Sequence, residues 1–470
     1  MKLLPAAIGA PFPAKSRPFW QLLLVGFLFL QSGRGRAQEF TVLHDFFGPE
    51  GAYPSGGLTA DGSTVYGTTT SEGGEAGTLF RINADGGNFT VLHRFTYNEG
   101  LNPNGSMVLA DNTLYGTTAG QNSSWYGSVF RVKTDGSDFQ VLKTFTGGAD
   151  GDQPSPPVRS GSFLFGTTVS GGLSNRGTIF RIGLDGSDFV VLKHLGSGTG
   201  MNPNGGLVLV NSLLYGTTMN GGTYGAGTLF RIRTDGTGFE PIKSYGAPGT
   251  ADHGTNPIGE LTQAGETLYG CTVIGGQDPG GTVFKVRTDG TGYQVLHYFT
   301  GAEGGAAPST SLILDHDTLY GTTFLGGAAD SVCPQGCGTV FKVRTDGTGF
   351  ATLRKFTGQL DGSQLVGSRL IRSANGLIGT ARLGGAASKG VLFSITLPLY
   401  PRTVAVTARP AGSVLAVWNG SPGTKYEVLT STQLTTWSPF AQVLSDANGV
   451  FSITDPVGDG PTRFYRATIP

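Results

Sequence analysis

Tyr66-Gly67-Thr68-Thr69 decides how this chain is read, because it returns, whole or slightly altered, six more times. The later copies begin at Tyr115, Phe165, Tyr215, Tyr269, Tyr320 and Ile378, the last as Ile-Gly-Thr-Ala. Successive copies start 49, 50, 50, 54, 51 and 58 residues apart. A period of about 50 residues marks supersecondary units that bury their apolar faces only against one another.

Around the second copy the unit reads as four strands, at residues 105–109, 113–118, 127–132 and 139–145, named a to d. Asp135-Gly136 joins c to d, and Asp-Gly between alternating apolar runs is a hairpin signal because Gly accepts positive φ. It recurs at Asp85, Asp185, Asp235, Asp289 and Asp346. Four strands per unit of about 50 residues describes a propeller blade. Strand c recurs seven times, at Phe80, Phe130, Phe180, Phe230, Phe284, Phe341 and Phe393, but only six copies are followed by a strand d. The missing d lies at the other end of the chain, where residues 40–46 (Phe-Thr-Val-Leu-His-Asp-Phe) repeat residues 89–95 (Phe-Thr-Val-Leu-His-Arg-Phe). The expectation is an all-β, seven-bladed β-propeller over residues 38–397, closed by its N-terminal strand.

Composition agrees. Gly supplies 79 of 470 residues, which suits turns and strands rather than helices. Residues 1–37 hold five basic residues, no acid, an apolar run over 19–30 and small residues before the end, the pattern of a secretory signal peptide. The rest of the chain has five more acids than bases, and no basic stripe that would suit nucleic acid. A secreted, periplasmic or cell-surface monomer is expected, with no membrane span once the signal is removed. Past Pro398 and Pro401 the period stops, and residues 398–470 alternate as short strands of a small β-sandwich-like module.

The spacing, with Gly-Gly after strand b at Gly73, Gly171 and Gly221, distantly resembles kelch propellers, without their repeating Trp. Leu214-Tyr215-Gly216-Thr217-Thr218, Gly227-Thr228-Leu229-Phe230 and Thr234-Asp235-Gly236-Thr237 more closely resemble the repeat of the Gloeo/Verruco (GloVer) secreted bacterial proteins of choice-of-anchor type. That resemblance implies a propeller and an exported location, with no catalytic residues to carry over.

The chemistry-bearing residues mostly dissolve into the repeat. Cys271 stands in a Tyr-Gly-Thr-Thr copy and reads as a packed thiol, while Cys333 and Cys337, in an insertion of an exported chain, are expected to form a disulfide. His44, His93 and His297 share a strand-d position with Lys143, Lys193, Lys243 and Arg354. This ring of bases could be an anion site, or could guard outer edges against pairing, the plainer reading. Asp315-His316-Asp317 falls in an a–b turn. No cofactor or metal is called for; calcium would suit the Asp-Gly turns, although turn geometry explains them without it. No Ser/His/Asp nucleophile motif or phosphate loop is found, and paired carboxylates for polysaccharide cleavage stay open.

Strand parity places the b–c and d–a loops on one side of the ring. That side gathers Tyr53, Tyr97, Trp125, Tyr126, Tyr224 and His253. Its acids are Glu50, Glu72, Glu75, Glu99, Asp150, Asp152, Asp252, Asp278, Glu303, Asp330 and Asp361, against Arg176, Arg382 and Lys389. Variable loops with aromatics and acids suit a carbohydrate, a cationic group, a metal ion or a cell-surface protein, so this face is the expected ligand site. The chain reads as a binding scaffold, with a polysaccharide hydrolase or lyase, or a structural envelope protein, as the alternatives.

Overall fold

The computed structural model describes residues 39–470 apart from 71–75, 121–125, 248, 250–252, 277–278, 302–303, 309–310, 328, 330–332, 366, 368, 398–401, 409–413, 422–423, 432–437, 447–448, 456–463 and 469–470. The signal segment 1–37 lies outside the described residues.

Seven antiparallel sheets of four or five strands follow one another along residues 40–396. In the second, Pro103–Ala110, Thr113–Thr118, Ser128–Lys133 and Gln140–Thr144 pair in that order. The seventh runs Ile371–Ser373, Gly376–Ala381, Val391–Thr396 and then Phe40–Asp45, the N-terminal strand. Phe40 lies opposite Ile395 and Asp45 opposite Val391. Phe46 N–H continues the ladder to Gly390 O at 3.0 Å. The expected closure is therefore in place, and it leaves the c strand of the seventh blade without a free edge.

The repeated motif packs the blades. In the first, Tyr66 and Leu79 join Met107, Leu114 and Phe130 of the second in one buried cluster. Six equivalent clusters bridge the other junctions, and the last sets Leu58, Val65 and Phe80 of the first blade against Ile378 and Leu392 of the seventh. Both faces of strand b are thus buried, which explains its apolar character. Gly67 is required because a Cβ there would stand 2.5 Å from Phe80 Cζ, whose ring lies over the backbone. The second Thr meets the Thr or Ser that opens strand c: Thr69 with Thr78 at 2.7 Å, Thr118 with Ser128 at 2.9 Å, Thr168 with Thr178 at 2.8 Å. Each pair is buried, and each satisfies hydroxyls that would otherwise cost about 1–3 kcal/mol unpaired. The seventh blade replaces the pair with Ala381 opposite Val391, which removes both polar groups together.

The Asp-Gly turns form as expected. Gly136 has φ 89°, and Asp135 Oδ1 accepts from Ser137 N–H at 2.9 Å and from Ser137 Oγ at 2.7 Å. These hydrogen bonds hold the Asp135 carboxyl below the usual range, and its counterparts at Asp185, Asp235, Asp289 and Asp346 behave alike.

The strand-d bases do something the sequence reading missed. Each lies on an aromatic ring of the following blade. His44 stacks on Phe89 at 3.9 Å, His93 on Phe139 at 3.8 Å and His297 on Phe350 at 3.5 Å. Lys143, Lys193 and Lys243 point over Phe189, Phe239 and Tyr293, and Arg354 lies 4.1 Å from the ring of Phe40. Four also meet an acid from the next d–a loop: His44–Glu50 at 2.8 Å, His93–Glu99 at 3.2 Å, Lys143–Asp150 at 2.7 Å and Arg354–Asp361 at 2.5 Å. They are blade-to-blade staples. The bases do lie on the outer strands as expected, and the ring contacts add an inter-blade role.

Residues 402–468 form two three-stranded sheets. Trp418, Tyr426, Val428, Phe451 and Ile453 bury between them, with Tyr426 stacked on Phe451 at 4.4 Å, as a small sandwich requires.

Candidate functional site

The a strands of all seven blades converge on a central channel of about 430 Å³. Its lining is mostly small, including Gly57, Ser106, Ser155, Gly206 and Ser311. At one end stand Asn102, Ala119 and Arg382, which begin an a strand or follow a b strand, so this mouth opens on the b–c and d–a loop face.

Aligning the a strands on their core Leu or Met shows where the repeat breaks. The residue before that position is Gly57, Ser106, Gly206 and Ser311 in four blades, but Glu260 in the fifth and Arg369 in the seventh. These two reach each other across the channel, with Arg369 Nη1 donating to Glu260 Oε2 at 2.7 Å. Small neighbours make the room: Gly206 lies against the Glu260 carboxylate and Gly57 against Arg369 Cβ. Glu260 N–H is held by Ser311 Oγ at 3.0 Å. The Glu260 side chain keeps 20% exposure and that of Arg369 36%. Burial pushes the Glu260 carboxyl above its ordinary range, with Arg369 drawing it part of the way back. Glu260 is the sole acid among the described lining residues. The sequence reading passed over this pair because it treated the a strands as apolar runs. The signal was present as two charges at a Gly/Ser position.

The described members of the expected loop set have separate surroundings. Tyr53 stands beside the mouth, its ring 5.8 Å from the Arg382 guanidinium and its hydroxyl accepting from Lys389 Nζ at 3.2 Å. Tyr97 and Tyr224 are about half exposed on separate loops. Tyr126 packs beside Gly147 in the cluster between the second and third blades. Asp150 is engaged by Lys143 and Thr146. Asp152 accepts from Ser170 Oγ at 3.2 Å, with burial raising its carboxyl. His253 lies 3.4 Å from Lys243 Nζ and receives the Tyr293 hydroxyl on its carbonyl at 2.8 Å. Trp125 and Asp252 lie outside the described residues, as do Glu72, Glu75, Asp278, Glu303 and Asp330. Asp150 and Asp361 pair with Lys143 and Arg354 at the rim, and Glu50 and Glu99 meet His44 and His93 there, while Arg382 lines the channel.

Cys333 and Cys337 are joined in a disulfide, with Cα atoms 5.3 Å apart, and line a second cavity of about 640 Å³ with Phe324, Leu325 and Leu383 between the sixth and seventh blades. Cys271 is buried, and its thiol is pushed up to about 12, which makes it a poor nucleophile. Asp315 is tied to Arg372 at 2.8 Å and His316 to Asp315 at 2.9 Å. No group of three or more metal-ligating side chains occurs among the described residues, and no helix among them is long and apolar enough to cross a membrane.

Several solved structures are similar to this chain. An oligogalacturonate lyase in complex with manganese shares 13% identity at TM-score 0.45, covering 77% of this chain and 98% of that one. The GH74 enzyme of Niastella koreensis shares 15% at TM-score 0.42, over 78% and 58%. TolB from Acinetobacter baumannii shares 13% at TM-score 0.40, over 62% and 63%. No curated protein matches. The model of the Gloeobacter/Verrucomicrobia repeat matches residues 26–159, 74–263, 155–331 and 278–426. With its period of about 50 residues, its Tyr-Gly-Thr-Thr strands and matches along most of its length, the chain belongs to the Gloeobacter/Verrucomicrobia repeat family.

Proposed function

We propose that the protein is an exported binding scaffold whose propeller takes a small polar ligand, such as a carbohydrate group of a surface partner, at the channel mouth beside Arg382. One observation carries this reading. The axial position is Gly or Ser in four blades and Pro156 in the third, and only the fifth and seventh place charges there, Glu260 and Arg369, which meet. A partly exposed ion pair is a weak source of stability, and Gly or Ser already suffices at this position in four other blades, so folding alone gives little reason for it. Fixed charges in a concave polar site are what ligand recognition uses. The basic, then apolar leader over residues 1–37 supports export.

Cleavage of polysaccharide is the second reading. Glycoside hydrolysis generally needs two carboxyl groups flanking the bond, and Glu260 alone among the described lining residues favours binding over that chemistry. The test is a thermal-shift screen of sugars, sugar acids and amino acids on the mature chain and on the double variant Glu260→Gly, Arg369→Ser. At least one compound should raise the melting temperature of the first and not of the second. Compounds that stabilise both equally would place the site elsewhere.

A further inference from the structure

Resting on that reading, we infer that the ligand at the channel mouth is a sugar acid, held through its carboxylate by Arg382 and Arg369 and through its hydroxyls by the ring of small polar side chains. The charges come first. The described lining residues contain two guanidinium groups and one carboxylate, one positive unit in excess among them. Arg369 is half-satisfied by Glu260. Among the described residues no acid pairs with Arg382, whose guanidinium lies 5.8 Å from the ring of Tyr53. A guanidinium facing a concave site without a carboxylate of its own is suited to a planar, two-oxygen acceptor.

Hydroxyl recognition is the second half. Ser55, Asn104, Ser106 and Asn204 line the same channel, and their side chains make no hydrogen bond within the protein among the described residues. Ser55, Asn104 and Asn204 hold the same position after the a-strand Pro and Ser106 lies two residues on, so amide and hydroxyl groups from three blades ring the channel, which suits a polyol more than an apolar acid. The volume of about 430 Å³ falls in the range of small-molecule sites and admits a monosaccharide acid with water. A doubly charged sugar phosphate matches the single excess positive charge less well, and a cationic amino sugar opposes it.

The experiment is calorimetric titration of the mature chain with glucuronate, galacturonate, glucose, galactose and glucosamine, repeated on Arg382→Gln and Arg382→Lys. One or both uronates should bind at least tenfold more tightly than the matching neutral sugar. Arg382→Gln should remove most of that preference with melting unchanged, and Arg382→Lys should restore part of it. Equal binding of neutral sugars and uronates, or uronate binding untouched in Arg382→Gln, overturns the sugar-acid assignment. If the neutral sugars alone bind, and lose binding in Glu260→Gly, Arg369→Ser, the scaffold reading stands without it. Binding of none of the five sugars overturns this inference, and the wider screen above then decides the scaffold reading separately.

Discussion

The rim and the axis of this propeller use the same charged residue types for different ends. At the rim, a base on every d strand lies on the next blade's aromatic ring, from His44 on Phe89 round to Arg354 on Phe40. There the basic side chain is part of the repeat and packs neighbouring blades together by ring stacking or cation–π contact. At the axis four blades supply Gly or Ser and the third Pro156, while Glu260 and Arg369 bring the two charges. Periodic charge in a closed ring reads as architecture, and aperiodic charge at a converging surface reads as a site. The acids of the loop face illustrate the distinction, since Glu50, Glu99, Asp150 and Asp361 look like ligand-binding groups until their strand-d partners are seen.

The contrast predicts that changes to the periodic parts cost stability in proportion to how much of the ring they open. Removal of residues 38–47 takes away the last strand of the seventh blade and the ring beneath Arg354, and exposes the Val391–Thr396 edge. The truncated chain should aggregate or lose its cooperative melting transition; a monomer with unchanged melting would show that the ring does not depend on this strand.

A smaller loss, about 1–3 kcal/mol, is expected for Thr168→Ala, which strips the Thr178 hydroxyl and N–H of a buried partner. Adding Thr178→Val copies the Ala381 and Val391 arrangement of the seventh blade and should recover part of the loss in urea unfolding. If the double variant is the sum of two independent losses, the pairing argument fails.

Smaller still is a pH effect at His297. Burial lowers its pKa from 6.5 to about 4, so as pH falls the unfolded chain takes up this proton before the folded one. The stabilising contribution is whole above pH 6.5 and fades between 6.5 and 4, by roughly 1–2 kcal/mol after allowance for partial exposure. His297→Phe keeps a ring against Phe350 without the proton, and should flatten that part of the stability curve. An identical pH dependence in both proteins would remove His297 from the account.

The fold was legible because its signals are local and repeated. Asp-Gly marks a turn by the φ that Gly accepts, Tyr-Gly-Thr-Thr carries its own packing and hydroxyl pairing, and the stray d strand at Phe40 stated where the ring closes. The staples were half legible. Their bases were aligned, but the acid six or seven residues on and the ring one blade on were not put beside them. The axial pair was not seen, because Glu260 and Arg369 are 109 residues apart and meet only once the ring has closed. Tyr126 shows the opposite failure: an aromatic in a variable loop looked available, yet it packs between blades.

The account's central claim is that Glu260 and Arg369 serve recognition and not the fold. Thermal unfolding of the double variant Glu260→Gly, Arg369→Ser, read together with its ligand titration, tests it most directly. The account predicts melting little changed, because the pair is partly exposed in the channel and Gly or Ser fills this position in other blades, with ligand binding lost. Melting several degrees lower with binding retained would contradict it, and would make the pair one more part of the architecture.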